Sequence, residues 1–183
     1  TLGTAFTKYH FKKIIRYTKN ILFCFDGDTA GKSAAWKAIN NCFSELKDDI
    51  QLYFIFLPEG KDPDSYVQND KESFLSLISN AMPLSKYIVD SLKSNLDLET
   101  VEGRTTFSLK ARDILNQMPK ITYTSILKKE FEIIAGNTIN LSNKENKVVD
   151  NDKNNKNKTE DFDIKEITLI NLLIEYPALI EEG

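Results

Sequence analysis

The stretch Ile21-Leu22-Phe23-Cys24-Phe25-Asp26-Gly27-Asp28-Thr29-Ala30-Gly31-Lys32 decides how this chain folds. Its first five residues are all apolar, with no alternation, which suits a strand covered on both faces. The run breaks at Asp26-Gly27-Asp28. Beyond the break, Ala34, Ala35, Ala38, Ile39, Cys42, Phe43 and Leu46 recur at spacings of one, three and four, the period of a helix with one buried face. A second apolar run, Leu52 to Leu57, stops at Pro58-Glu59-Gly60-Lys61-Asp62-Pro63-Asp64. Strand, helix and strand in so short a span predict a βαβ unit with parallel strands. Both acidic loops then fall at the carboxyl ends of the strands, the edge where open α/β sheets bind ligands.

Outward from this unit the pattern is helical. Thr7 is placed to cap a helix running to about Lys19, with Phe11, Ile14 and Ile15 on its apolar side. After Asp64, four further helices are marked by Phe74, Leu75, Leu77 and Ile78; by Leu84, Tyr87, Ile88 and Leu92; by Phe107, Ala111, Ile114, Leu115 and Met118, stopped by Pro119; and by Ile126, Leu127, Phe131 and Ile134, ended near Gly136. The expected class is α/β, a parallel sheet with flanking helices followed by a small helical bundle. Residues 142–160 are almost entirely Asn, Lys, Asp, Glu and Ser, which predicts a disordered linker. Helical spacing returns with Ile164, Ile167, Ile170, Leu173 and Ile174.

Composition narrows the function. The 183 residues carry a net charge of -3, so the chain as a whole is not a basic coat for nucleic acid, although a local basic face remains compatible with it. Two isolated cysteines and one histidine give no zinc-site spacing. Cys24 lies in an apolar run and Cys42 on an apolar stripe, so both read as reduced core residues of a cytoplasmic protein. No apolar stretch approaches the roughly 20 residues that span a membrane. No signal peptide is visible, and the start at Thr1 without methionine leads us to expect further sequence upstream.

The chemistry lies in the acidic loops. Asp26 and Asp28 are two apart, and in extended backbone such residues point to one side. A divalent cation relieves the repulsion between two carboxylates so placed, and hard oxygen ligands suit Mg²⁺ or Mn²⁺. Gly27 allows a tight turn, and Gly31 opens a helix whose N–H groups favour anions. Asp62 and Asp64 repeat the spacing around Pro63, which stiffens the loop. All four carboxylates are therefore candidates to converge on a pair of metals. The plainer reading is that Asp-Gly-Asp is a loop with a helix cap and Lys-Asp-Pro-Asp an ordinary turn. Lys32 and Lys37 are candidates for phosphate contact or for a solvated face. Trp36 reads as packed rather than stacked on a base, and His10 as a surface helix residue.

These motifs resemble a known family. Thr1-Leu2-Gly3-Thr4-Ala5, Phe25-Asp26-Gly27-Asp28-Thr29-Ala30-Gly31-Lys32 and Leu57-Pro58-Glu59-Gly60-Lys61-Asp62-Pro63-Asp64 follow the order and spacing of the toprim part of bacterial DnaG-type DNA primase. Ala81-Met82-Pro83-Leu84-Ser85 and Glu102-Gly103-Arg104 resemble its following helical segment, and Leu172-Leu173-Ile174-Glu175-Tyr176-Pro177 is similar to the start of its helicase-binding domain. The resemblance implies the C-terminal part of a toprim subdomain over 1–80, a helical subdomain over 81–141, the linker over 142–160, and a begun helicase-binding domain over 161–183. It implies metal binding by Asp26, Asp28, Asp62 and Asp64, with Asp26 and Asp28 catalytic. The implied activity is synthesis of short RNA primers on single-stranded DNA from ribonucleoside triphosphates with Mg²⁺ or Mn²⁺. The replicative helicase is the implied partner and a membrane is not. The family's first toprim motif, its zinc-binding domain and its basic subdomain are expected to precede Thr1, so this piece is not expected to polymerise alone.

Three other readings stand beside it. A haloacid-dehalogenase-type phosphohydrolase wants Asp-x-Asp-x-Thr, and here Ala30 occupies the threonine position. Another toprim enzyme, a topoisomerase or nuclease, shares the single motif but not the series. A non-catalytic helicase-docking module would not need the four acidic residues, which count against it for the parent protein, while the fragment itself is compatible with it.

Overall fold

A computed structural model describes residues 6–58 and 71–141. Thr1–Ala5, Asp62, Asp64, the expected linker and the expected terminal helix lie outside the described residues.

The first helix, α1 (Lys8–Ile14), begins at Thr7 as expected. Thr7 Oγ1 accepts the His10 N–H at 3.4 Å, while His10 Nδ1 accepts the Thr7 N–H at 3.2 Å, so the histidine closes a capping box. The helix is shorter than the sequence indicates. Thr18 Oγ1 accepts from Asn20 N and donates to Asn20 O, a local bonding scheme that competes with further helix. The chain then enters β1 (Asn20–Asp26), crosses through α2 (Thr29–Cys42) and a short 3₁₀ turn (Phe43–Glu45), and returns in β2 (Gln51–Leu57). β1 and β2 are parallel, in register from Asn20 opposite Gln51 to Asp26 opposite Leu57.

Both faces of this pair are covered, as the unbroken apolar runs require. Ile21, Phe23, Leu52 and Phe54 belong to the main core with Phe11 of α1 and Ala35 and Ile39 of α2. On the other face Leu22, Cys24, Ile55 and Leu57 meet Phe74, Leu77 and Ile78 of α3 (Lys71–Ser79). On α2 the apolar stripe is narrower than expected, because Ala34 is exposed.

The sheet has a third strand that the sequence conceals. β3 (Met82–Pro83) pairs antiparallel with Tyr53 and Phe54 of β2. Two residues give no periodic signal, and proline, lacking an N–H, is tolerated only at such an edge. α4 (Leu84–Lys93) follows at once and lies on the sheet, with the Tyr87 ring stacked 5.0 Å from Phe54 and 5.6 Å from Phe56. α5 (Val101–Leu115) and α6 (Thr122–Ala135) pair through Phe107 and Phe131, whose rings meet edge-on at 5.8 Å. Gly136 ends α6 in the left-handed region at φ 68°. Ile126, read as an inward residue, is 62% exposed, and Leu127, Phe131 and Ala135 supply the buried stripe instead.

The helices after the sheet share its core: Phe107, Leu127 and Phe131 belong to the same buried cluster as Phe23 and Phe54. A polar tie reinforces this. Asp48, in the loop before β2, accepts the N–H groups of Thr122 and Tyr123 at 3.2 and 2.7 Å and so caps α6 from a distant part of the chain. Those backbone bonds, the Tyr123 N–H first, hold the Asp48 carboxyl below its usual range.

Burial pushes the Cys42 thiol upward, and burial followed by the Glu130 charge does the same to the Tyr123 phenol. An acid whose proton is held more tightly in the fold than in the unfolded chain contributes stability that is full below its unfolded pKa and is lost as pH rises from there toward its folded pKa. Stability is therefore expected to fall as pH rises from about 9, where an unfolded thiol ionises. Urea midpoints measured on either side of that value check this, and a midpoint that rises with pH would contradict it.

Candidate nucleotide-handling site at the carboxyl end of the sheet

Asp26 is the last residue of β1 and is exposed. Asp28 is the N-cap of α2, in extended backbone at φ -76° and ψ 178°. Its Oδ1 accepts the Gly31 N–H at 2.6 Å. The capping role weighed from the sequence is thus present, and it leaves the second carboxylate oxygen for another partner. Cap and ligand are compatible roles for one aspartate, since a carboxylate offers two oxygens.

Gly31 explains how the helix comes so close to the strand. A Cβ built there would stand 2.1 Å from the Asp26 carbonyl oxygen. Only a residue without a side chain lets the first turn of α2 lie against the end of β1. Gly27 does not act through left-handed backbone; among the described residues Gly136 is the glycine with positive φ. Behind the loop, Cys24 is half-buried, and burial, with a smaller contribution from the Asp26 charge, pushes its thiol up to about 11. That makes it a neutral packing residue and not a nucleophile at physiological pH.

Leu57 of β2 lies directly opposite Asp26, so the chain that carries Asp62 and Asp64 leaves the sheet beside the first carboxylate. Among the described residues, no group of three or more His, Cys, Asp or Glu side chains is placed to hold a metal. The described part of the site thus provides two carboxylates. Mg²⁺ commonly uses one or two carboxylates, keeping waters or substrate phosphates on its other positions.

Lys32 and Lys37 are exposed, and Trp36 is half-buried against Tyr87 at 6.3 Å, in keeping with the packing role expected of it. The Glu102-Gly103-Arg104 motif is architectural. A Cβ on Gly103 would meet the Asp97 carbonyl oxygen at 1.8 Å, and Arg104 donates to the carbonyls of Leu98 and Glu99 at 3.1 and 2.9 Å. No helix among the described residues is long and apolar enough to cross a membrane.

The stretch that holds this parallel βαβ unit and its two terminal carboxylates is similar to the family described as Toprim-like, which matches residues 1–67. More particularly, the chain is homologous to the catalytic core of bacterial DnaG-type DNA primase. It is 40% identical over 131 residues to the DNA primase of Escherichia coli K12, covering 71% of this chain and 22% of that protein. It is 38% identical over 128 residues to the DNA primase of Legionella pneumophila, covering 69% of this chain and 22% of that one. A solved DnaG primase catalytic domain bound to ssDNA matches with TM-score 0.69 and 38% identity, over 76% of this chain and 44% of that chain. A DNA primase domain from Pseudomonas aeruginosa matches with TM-score 0.70 and 37% identity, over 74% and 43%. The chain therefore spans about a fifth of the length of the curated relatives it matches. This homology favours a primase fragment over a phosphohydrolase, another toprim enzyme or a docking module.

Proposed function

We propose that this chain is part of the RNA polymerase domain of a replicative primase, which makes short RNA primers on single-stranded DNA from ribonucleoside triphosphates. The observation that carries the reading is the Asp26–Asp28 pair at the carboxyl end of β1, on a turn that Gly31 closes, in a chain 40% identical to a bacterial primase. Asp26, Asp28, Asp62 and Asp64 are the proposed ligands of Mg²⁺ or Mn²⁺, with Asp26 and Asp28 catalytic. The donor set fits, because the carboxylates are hard ligands and one oxygen of Asp28 is already fixed by the Gly31 N–H. A bound cation would neutralise triphosphate charge and ease departure of pyrophosphate. The chain's own part is to hold the carboxylates in place and to present the N–H groups of Thr29 and Ala30, at the start of α2, to phosphate oxygens. The DNA-bound form of one solved relative supports a single-stranded template.

On the same reading, residues 1–80 are the C-terminal part of the toprim subdomain and 81–141 the helical part of that domain. Residues 161–183 begin the region that docks on the replicative helicase, and the parent protein works in the cytoplasm as part of a primosome. Any zinc belongs to a separate amino-terminal domain of the family.

A template-directed assay with labelled ribonucleotides tests the proposal. The complete protein that carries this sequence is expected to make primers in a divalent-metal-dependent manner. Residues 1–183 alone, which span 44% of a matched catalytic domain, are expected to make none. Robust synthesis by the isolated piece, or a complete protein that makes no primers, would overturn it.

A further inference from the structure

A groove of about 830 Å³ opens between α2, β2, α4 and α5. Its floor is aromatic: Trp36, Phe56 and Tyr87 line it, with the Phe56 and Tyr87 rings stacked at 5.6 Å and Trp36 tilted 6.3 Å from Tyr87. Trp36 and Phe56 are only half-buried, so ring surface remains available. The rim carries Lys32 and Lys110, both exposed, and the carboxylates of Asp90 and Asp113. The volume is that of an ordinary small-molecule site.

Two of the lining residues belong to the elements that carry the acidic loop. Lys32 lies in the first turn of α2, its N–H bonded to the carbonyl of Asp28 at 3.0 Å. Phe56 is opposite Phe25 in the sheet, one residue before the Asp26–Leu57 pair.

We propose that this groove is a base-binding subsite, in which the heterocyclic base of a nucleotide stacks on Trp36 while Lys32 and Lys110 meet its phosphates. The chemistry is complementary in each part. Aromatic side chains stack on any base, lysines neutralise phosphate, and carboxylates accept from exocyclic amino groups. A phosphate alone would leave the rings unused. The inference rests on the proposed nucleotide chemistry of the acidic loop for the identity of the ligand, but the base is held by side chains outside that loop. The base arrives either on a free nucleotide or within a single strand.

Trp36 is the single tryptophan of the chain, so its fluorescence reports directly on the groove. The test is quenching of the 183-residue chain, in excess EDTA, by ATP, by single-stranded oligodeoxyadenylate and by inorganic triphosphate. Working without divalent metal separates this subsite from the carboxylates. Failure of metal binding at Asp26 and Asp28 would leave the result unchanged, and failure here would leave the metal reading unchanged. Saturable quenching by ATP or by the oligonucleotide, weakened about tenfold by Lys110→Glu, supports the proposal, a factor that corresponds to about 1.4 kcal/mol. Quenching by ATP alone assigns a free nucleotide, and quenching by the oligonucleotide alone assigns a strand. No quenching by either, equal quenching by inorganic triphosphate, or quenching indifferent to Lys110→Glu would overturn it.

Discussion

Gly31→Val is expected to cost the fold about 3 kcal/mol, the upper part of the range for forcing atoms into a filled space. The nearest obstacle to a side chain there is backbone, the Asp26 carbonyl oxygen at 2.1 Å from an ideal Cβ, and it belongs to a strand fixed in register with β2. Neither β1 nor the first turn of α2 yields without losing something. If α2 lifts, the Gly31 N–H leaves Asp28 Oδ1 and the cap is lost. If β1 moves, the aromatic stack of Phe23 on Phe54 is disturbed. Chemical denaturation of the two proteins measures the difference, and equal unfolding free energies would show that the close approach is not required.

Asp26→Ala, made in the complete protein, is expected to reduce the turnover of primer synthesis by about 10²–10³-fold, the usual loss when one element of charge stabilisation is removed from a transition state. Asp26 is exposed at a strand end, so the substitution is expected to leave stability and affinity for single-stranded template nearly unchanged. A fall in kcat without a fall in folding is the signature of a ligand acting on the reaction. A variant that folds and retains wild-type turnover would remove Asp26 from the site.

The central unit was legible because its signals are physical and local. Two unbroken apolar runs separated by a helical period leave little choice but a parallel βαβ unit covered on both faces, and α3 supplies the second cover through Phe74, Leu77 and Ile78. Loop positions follow from the same pattern, which puts Asp26 and Asp28 at the carboxyl edge, where the structure has them. What escaped depends on tertiary context. Met82 and Pro83 make a strand only because β2 offers a free edge. Asp48 caps a helix more than seventy residues away, a bond that no window along the chain contains. Ala34 and Ile126 satisfy a helical period and yet face solvent, because which side of a helix is buried is set by its neighbours. The crowding at Gly31 and Gly103 is equally silent in sequence, because it depends on the backbone of Asp26 and Asp97 lying against the helix starts. The aromatic groove draws on four elements and was invisible for the same reason; Trp36 by itself reads as core.

Mn²⁺ titration of the 183-residue chain by calorimetry, wild type against Asp26→Asn/Asp28→Asn, tests the account most directly. Asparagine keeps an oxygen at position 28 to accept the Gly31 N–H, so the cap survives while both charges go. The account predicts saturable Mn²⁺ binding by the wild type and its loss in a double variant that still folds. Equal Mn²⁺ affinity in the two proteins would contradict it.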